Sequence, residues 1–542
     1  MQITFIRNTY PPIRSRSKWQ MPARQAASQA GARPCAPFCL WALSFHMTVS
    51  IRRRHFTLAL PALAALAQPA LARSPHSLTL GMTLEPPGLD PTAGAASAIA
   101  EIMLYNVFET LTKIRPDASV GPLLAQSWHS SPDLKRWTFH LRDNARFSNG
   151  APLTAQTVQW AFTRAASEGS TNKDRRTFTA MRQIAAPDER TVRIELEQPD
   201  ADLPFKLGQA TAIIVEPGSA AGNATRPVGS GPYVLDKWQR GASLTLKAWP
   251  QWREAGAIAI GRAVFRFISD PAAQVAALLA GDVDAFVRMS ERGAARLKAD
   301  GRFALLQSGS RAKTIVAFNH RHAALRDVRV RRALCAAIDR QAVVQAGQNG
   351  LGTPIGSYYT PGSPGYVDLT GVNAYDPDKA RQLLKEALPD GPLSLTLTLP
   401  PTPYARQGGE VVAAQLSQAG VRVKVQNVEW AQWLSHVYGQ AQFDLTLISH
   451  VEPLDLGNWS KPGYYWGYEN PAFNALYERL RASADEGERL KLLEQAQRLL
   501  AEDAAAIFLY QPHWLTAARK GLQGLWEQMP ISVNDLATLR WQ

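Results

Sequence analysis

Apolar and polar residues alternate at residues 137–142 (Trp-Thr-Phe-His-Leu-Arg), a pattern typical of a strand with one buried face. Asn149–Gly150 follows and favours a turn, because both residue types tolerate positive φ. Thr154 then stands where a hydroxyl can cap a helix, and the apolar positions after it share one helical face: Val158, Ala161 and Phe162. The pattern therefore predicts a strand, a turn and a helix in that order.

The second half of the chain shows the same mixture of patterns. Asp327 is expected to cap a helix whose apolar residues recur every four positions: Val330, Leu334 and Ile338. Asn470–Pro471 begins another helix, since proline suits the first helical position. A later helix is predicted to bury Leu492, Leu493, Ala496, Leu499 and Leu500. Residues 507–510 are predicted to form a short buried strand. The chain shows no repeat of 20–50 residues, so we predict a mixed α/β protein rather than a solenoid.

The net charge is concentrated at the front of the chain. The 542 residues carry a formal charge of +14, with 59 Lys and Arg against 45 Asp and Glu. Residues 1–72 contain nine of the basic residues and no acidic residue, which leaves only +5 for the rest. This small excess, without basic runs interleaved with aromatic residues, argues against nucleic-acid binding. The length indicates about two to four structural domains.

Residues 47–72 contain the three parts of a signal peptide in order. A basic segment at 52–54 precedes an apolar stretch at 56–67, and Ala70-Leu71-Ala72 supplies the small residues of a cleavage site. The apolar stretch is too short to cross a bilayer of ~30 Å as a helix. The pair Arg53–Arg54 resembles the twin-arginine export signal, with Sec export as the alternative. We expect the mature chain to begin at Arg73.

Residues 1–46 resemble neither a domain nor an export signal, and we predict a non-native extension upstream of a true start at Met47. Cys35 and Cys39 would then be absent from the mature protein, which leaves Cys335 and no internal disulfide. Because no cysteine follows the apolar stretch, a lipid anchor is not expected. The sequence therefore predicts an exported, monomeric periplasmic protein.

The mature chain lacks the sequence motifs of common enzyme classes. It has no G-x-S-x-G, no P-loop and no H-E-x-x-H motif. Asp282 and Asp284 could act as paired carboxylates, but their sequence context favours a position beside the start of a strand. His320 and His322 could hold a metal, but a surface loop is the favoured interpretation. We therefore expect no cofactor and no metal, with a secreted hydrolase as the alternative from another class.

Several short stretches occur in a fixed order across residues 78–542. They lie at 124–128 (Leu-Ala-Gln-Ser-Trp), 141–150 (Leu-Arg-Asp-Asn-Ala-Arg-Phe-Ser-Asn-Gly), 152–162, 228–233 (Val-Gly-Ser-Gly-Pro-Tyr) and 327–334. In order and spacing they resemble family 5 of the extracytoplasmic solute-binding proteins, which serve peptide and nickel ABC transporters. The resemblance implies a non-enzymatic binding protein that captures a peptide or peptide-like solute. A nickel chelate or another non-peptide solute is the alternative ligand on this fold.

The resemblance also implies an architecture. It is the two-lobed periplasmic binding protein fold (type II-like, cluster C), with a hinge between the lobes and an extra inserted domain in the large lobe. The large lobe would comprise residues 73–119, 230–316 and 508–542, with the inserted subdomain at 120–229 and the second ligand-binding lobe at 317–507. Gly229 and Gly231 are expected to form a turn that needs open backbone angles. The partners implied are the permease and the ATPase of an ABC transporter at the inner membrane.

The resemblance further implies how the ligand is held. Arg406 matches an arginine that binds the ligand carboxylate in dipeptide-binding relatives. Those relatives use an aspartate three residues before an acidic residue–proline pair to receive the ammonium. Here Ser449 stands at that position, and serine cannot neutralise an ammonium. His450, Glu452 or Asp455 could substitute; otherwise the ligand lacks a free amine there.

Aromatic residues cluster around the same segment and suit a cleft that excludes water from an amphipathic ligand. The aromatic residues predicted to contact the ligand are Trp430, Trp459 and Tyr465.

Overall fold

The computed structural model describes residues 76–542, apart from residues 95 and 290. The predicted upstream extension at 1–46, the predicted signal peptide at 47–72 and the predicted start of the mature chain at Arg73 lie outside these residues. Within the described part, no helix has both the length and the apolar composition needed to cross a membrane.

Helices and strands alternate along the described chain, as the sequence pattern predicts. The helices are α1 Ser97–Met103, α2 Ala155–Ala166, α3 Arg175–Thr179, α4 Leu203–Lys206, α5 Pro271–Ala280, α6 Ala294–Lys298, α7 Val328–Ala336, α8 Arg340–Gln348, α9 Pro377–Ala387, α10 Pro403–Gln418, α11 Trp430–Gln432, α12 Pro471–Ala482 and α13 Glu486–Glu502. The strands are β1 Ser77–Met82, β2 Thr112–Ile114, β3 Val120–Pro122, β4 Ala125–Ser130, β5 Arg136–Leu141, β6 Met181–Ala185, β7 Thr191–Leu196, β8 Tyr233–Gln239, β9 Ser243–Ala248, β10 Arg262–Phe267, β11 Ala285–Met289, β12 Phe303–Ser310, β13 Lys313–Phe318, β14 Gly352–Pro354, β15 Ser394–Leu399, β16 Arg422–Asn427, β17 Leu445–His450, β18 Ala506–Arg519, β19 Leu522–Gln523, β20 Gln528–Met529 and β21 Arg540–Trp541.

The local signals of the sequence act as predicted. The Thr154 hydroxyl accepts a hydrogen bond from the Thr157 amide at the start of α2, and Asp327 accepts one from the Arg329 amide at the start of α7. Asn470 caps α12 in the same way, followed by proline at the first helical position. Residues 137–141 of the alternating segment lie in β5, whose burial also alternates, and Arg142 follows the strand. The helix predicted after Asp327 ends at Ala336, so Ile338 lies beyond it. The elements that are confirmed depend on residues close in sequence, so a local pattern is enough to predict them.

One long sheet runs through most of the molecule in the order β16-β15-β17-β13-β18-β11-β1-β10-β9-β8. Strand β18 is common to its two halves. The first residues of β18 pair with β13, and its last residues pair with β12 and β11. The chain therefore crosses between the halves at two adjacent places, at residues 311–312 between β12 and β13 and at residues 511–512 within β18.

Each side of these crossings has its own hydrophobic core. The first lobe, built on β1 and β8–β12, buries residues such as Leu80, Phe265 and Leu246. The second lobe, built on β13–β17 and α7–α13, buries apolar residues on both faces of its sheet, because β13 sends Val316 to one face and Ile315 to the other. These two bodies joined by paired strand crossings form a hinge geometry.

A third core belongs to the inserted subdomain, which is the sheet β4-β5-β7-β6 with α2 and α3 packed against it. Phe139, Phe162 and Phe178 are fully buried there. The residue boundaries given above for the lobes and the subdomain stay a prediction.

Candidate ligand-binding site

A cavity of about 780 Å³ lies where the two lobes and the inserted subdomain meet. The inserted subdomain lines it with residues from 173–178 and 206–211, and the second lobe with residues from 451–458. Residues 310–312, at the first crossing between the lobes, form part of its wall. Several hundred Å³ is the usual volume of a small-molecule site, and the junction of domains is a usual position for one.

A buried ion pair anchors the loop that forms the second-lobe wall. Lys313, the first residue of β13, places its ammonium 2.5 Å from the Asp455 carboxylate, and both side chains are more than nine-tenths buried. The other Asp455 oxygen accepts a hydrogen bond of 2.6 Å from the Tyr358 hydroxyl. Lys313 also donates to the carbonyl of Glu452 at 2.6 Å. Asp455 is therefore already neutralised within the protein and offers little to a ligand ammonium.

His450 is also buried and does not supply a negative charge. Its Nε2 lies 3.0 Å from the Tyr465 hydroxyl. Burial, reinforced by the positive charge of Lys313, lowers the pKa of His450 to about 3. The ring is therefore neutral at neutral pH. Of the three proposed substitutes for the missing aspartate, Glu452 has an exposed side chain and lines the cavity.

Ser449 and Arg406 lie on neighbouring elements of the second lobe, β17 and α10. The Ser449 amide donates to the Tyr404 hydroxyl at 3.1 Å, and the Thr314 hydroxyl donates to the Ser449 hydroxyl at 3.2 Å. Arg406, one helical turn from the start of α10, is exposed and lies 3.2 Å from Glu429. Neither Ser449 nor Arg406 belongs to the described lining of the cavity. The role of Arg406 in holding a ligand stays a prediction.

The predicted aromatic contacts differ in their surroundings. Trp459 is fully buried and stacks on Trp466 with a centroid distance of 4.1 Å. Tyr465 is buried beside His450, whereas Trp430 is 41% exposed and meets Trp433 edge-on. Trp459 and Tyr465 thus form part of the packed core behind the loop, where they stabilise its position. Their predicted contact with ligand stays untested.

Sequence reasoning did not find the two cations at the crossing between the lobes, Arg311 and Lys313. Both are buried, at 9% and 3% exposure. The sequence signal for Lys313 was its position directly before the buried residues 314–318, since a lysine that begins such a strand needs a buried partner. That partner, Asp455, lies 142 residues further along the chain, so the sequence did not pair them.

His320 has a structural role in the described structure. Its Nε2 donates to the carbonyl of Ala505 at 2.9 Å, and its ring packs edge-on against Tyr468. Because Nε2 of His320 carries the proton of this hydrogen bond, it has no free lone pair to bind a metal. Burial, with a smaller contribution from the charge of Arg331, lowers the pKa of His320 from 6.5 to about 4.

The lowered pKa of His320 predicts a pH-dependent loss of stability. As pH falls below about 6.5 the unfolded state takes up the proton first, so the contribution is fully present above that pH and is lost towards pH 4. Between pH 7.5 and 5 the wild type should lose about 2 kcal/mol more free energy of unfolding than His320→Gln. Urea unfolding of both proteins at the two pH values measures this difference. If the free energies of unfolding of the two proteins change equally between the two pH values, the prediction is wrong.

The comparison with known families decides the identity of the chain. Residues 119–474 match the profile of bacterial extracellular solute-binding proteins, family 5. The chain belongs to this family. As a family 5 solute-binding protein it is 30% identical to di/tripeptide-binding protein 4 of Pseudomonas aeruginosa (strain UCBPP-PA14), over 90% of this chain and 98% of that protein.

Two further comparisons agree with the family. "Probable D,D-dipeptide-binding periplasmic protein DdpA" of Escherichia coli (strain K12) is 27% identical over 82% of this chain and 90% of its own. The solved structure of HbpA2 from Haemophilus parasuis superposes with a TM-score of 0.79 at 21% identity, covering 86% of this chain and all of HbpA2. The predicted two-lobed α/β fold of a family 5 solute-binding protein is confirmed. The family and these relatives are transport binding proteins rather than enzymes.

Proposed function

We propose that this protein is the periplasmic binding component of an ABC importer and captures a peptide or peptide-like solute between its lobes. The observation that carries the proposal is the 780 Å³ cavity, whose walls come from the second lobe, the inserted subdomain and the crossing between lobes. A solute in that cavity contacts both lobes and so favours the closed arrangement. The relatives named as dipeptide and di/tripeptide binders support the class of solute.

The lobes already touch beside the cavity, as closure requires. Arg489 of α13 lies 2.5 Å from the carboxylate of Asp202 in the inserted subdomain. Arg481 of α12 donates to the carbonyl of Pro199 at 3.2 Å. Leu454, in the second-lobe loop, packs against the cluster around Phe205 of the inserted subdomain. These contacts support closure of the lobes around the cavity.

The proposal includes a route and partners. The signal peptide predicted at residues 47–72 would export the protein, and the absence of a cysteine after its apolar part favours a protein without a lipid anchor. In the periplasm the closed, loaded protein would act as a monomer. It would deliver the solute to the permease and the ATPase of the importer.

Two alternatives have weaker support. A nickel chelate would suit the cluster of His450, Glu452 and Asp455, whose ligand atoms lie within 4.8 Å of one another. Lys313 and Tyr358 already use both oxygens of Asp455, so a cation there would compete with a buried ammonium. The exposed carboxylate Asp282, considered for a hydrolase, lies 3.4 Å from Arg266 at the rim of the first-lobe sheet.

Mass spectrometry of the solute that co-purifies from the periplasm tests the proposal directly. A peptide or peptide-like molecule recovered in near-stoichiometric amount is the expected result. Solution scattering with and without that solute should show a smaller radius of gyration when it is bound. Release of a cleaved product from a labelled peptide would contradict the transport proposal and favour the hydrolase.

The contact between Arg489 and Asp202 predicts a closure defect. Arg489→Ala should weaken solute binding about two- to fivefold, because a half-buried ion pair that forms on closure contributes about 0.5–1 kcal/mol. Asp202→Ala should have the same effect, and the double variant should be no weaker than either alone. Arg498→Ala is the matched control, since Arg498 pairs with Glu494 on the same helix and not across the lobes. Calorimetry that finds Arg489→Ala and Arg498→Ala alike would refute this role.

A further inference from the structure

Arg311 is a buried cation with free donors at the wall of the cavity. It lies in the first crossing between the lobes, and its side chain is 9% exposed. Its Nη2 donates to the carbonyl of Gly362 at 2.9 Å. Among the described residues, no carboxylate lies within ion-pairing distance of its guanidinium, although burial lowers its pKa and makes a negative partner favourable. A buried charge without a partner is costly, and a bound anion would remove that cost.

The other charged groups that line the cavity also include more cations than carboxylates. Lys206 is neutralised by Asp200, and Arg288 is neutralised by Glu101. Asp455 is neutralised by Lys313, as described above. The lining groups without an ion-pair partner in the described structure are then three cations and two carboxylates: Lys173, Arg176, Arg311, Asp174 and Glu452. The cavity therefore carries an excess of positive charge before any solute binds.

Two further cations, Arg176 and Lys461, interact through their charges. Arg176 belongs to the inserted subdomain and Lys461 to the second lobe. Partial burial and the nearby positive charge of Arg176 lower the pKa of Lys461. Bringing these cations together on closure is unfavourable unless an anion lies close by. An anion bound beside Arg176 in the cavity would reduce this repulsion.

We propose that the solute carries a net negative charge and that Arg311 binds one of its carboxylates at the crossing between the lobes. This inference rests on the proposed function and narrows its solute class to acidic or amine-blocked peptides and similar conjugates. The planar guanidinium keeps its bond to Gly362 while its remaining donors meet the carboxylate. A carboxylate at this point touches the segment that joins the lobes.

Matched dipeptides test the inference on the full mature protein. Alanyl-glutamate and alanyl-glutamine have nearly the same size and differ by one carboxylate. N-acetyl-alanyl-glutamine has a net negative charge because it has lost its ammonium, but it has no second carboxylate. Calorimetry should find alanyl-glutamate bound about 10- to 100-fold more tightly than alanyl-glutamine, the range expected for one charge-assisted hydrogen-bonded contact. N-acetyl-alanyl-glutamine, which has the net charge of alanyl-glutamate but no second carboxylate, should gain less. Arg311→Gln should remove that preference and change alanyl-glutamine binding less than about threefold.

The controls separate a specific anchor from a general effect. Arg226→Gln removes one exposed positive charge outside the described lining and should behave as wild type. Arg311→Lys keeps a charge that can reach Gly362 but lacks the planar fork, so it should retain only part of the preference. If Arg311→Gln does not fold, the partial loss in Arg311→Lys decides the matter. If Arg311 had a purely structural role, its substitution would weaken binding of the charged and the neutral probe equally.

Three results would overturn the inference. Equal binding of alanyl-glutamate and alanyl-glutamine by the wild type contradicts it while leaving the proposed function intact. Loss of the preference in Arg406→Gln, with Arg311→Gln retaining it, would assign the anion to Arg406 instead. No binding of any of the three probes, together with no peptide among co-purified molecules, would overturn the proposed function and this inference together.

Discussion

Gly229→Ala should lower the free energy of unfolding by about 3 kcal/mol or more. A Cβ atom on Gly229 would lie 1.8 Å from the carbonyl oxygen of Val107 and 2.6 Å from its carbonyl carbon. Backbone atoms cannot rotate out of the way, and the Gly231 amide donates to the same Val107 carbonyl at 2.9 Å, which holds the two segments together. The whole junction between the inserted subdomain and the first lobe would have to move.

Gly222→Ala is the matched control for this substitution. No atom lies within 4 Å of a Cβ placed there, and Gly222 is only seven residues from Gly229. Its effect should stay within about 0.5 kcal/mol. Urea unfolding followed by circular dichroism compares the three proteins. If Gly229→Ala unfolds at the same urea concentration as wild type, the close approach of the two backbones is not as described.

The glycine pair shows what sequence reasoning can and cannot provide. The resemblance led us to expect a turn at Gly229 and Gly231 with open backbone angles. Neither residue has a positive φ in the structure. The requirement for glycine comes instead from the backbone of Val107 and Asn106, more than 120 residues earlier. A local pattern indicates that glycine is needed, but only the tertiary contact explains why.

The length of strand β18 also depends on tertiary contacts that the local sequence pattern does not show. Residues 507–510 were expected to form a short buried strand, and they do lie in a strand. It continues to Arg519, past Pro512, which cannot donate to a sheet. Pro512 lies where the strand leaves one lobe and enters the other, so its missing amide falls at the gap between partners β13 and β12. Strand length here is set by two distant partners, which hydrophobic periodicity does not reveal.

The sequence indicated one wall of the cavity but not the charge balance of that wall. Of the residues selected from the sequence in this loop, Glu452 and Asp455 line the cavity, whereas Ser449 and His450 do not. Their charges, however, depend on partners from other segments. Asp455 is neutralised by Lys313, and His450 is held neutral by burial. The sequence identifies which groups can carry charge, while burial and pairing decide which of them remain available to a ligand.

Lys313→Met should lower the free energy of unfolding by about 3–5 kcal/mol. The substitution leaves the Asp455 carboxylate buried without the Lys313 ammonium. The Tyr358 hydroxyl still donates a hydrogen bond to it. It also removes the donor to the carbonyl of Glu452, so the loop that lines the cavity loses two of its attachments. Methionine has a similar length, so the loss reports the charge rather than a cavity.

The double variant Lys313→Met/Asp455→Leu distinguishes a neutralising pair from two independent contributions. Removing both charges leaves no uncompensated ion, so it should recover most of the stability lost in Lys313→Met. The exposed pair Arg479–Glu488 gives the control, because Arg479→Ala should change stability by less than about 1 kcal/mol. Equilibrium urea unfolding of these proteins measures the coupling. A double variant as unstable as the sum of the two single variants would show that the pair is not what holds this loop. In that case Lys313 would act through its bond to the Glu452 carbonyl, and Asp455→Leu alone would be nearly neutral.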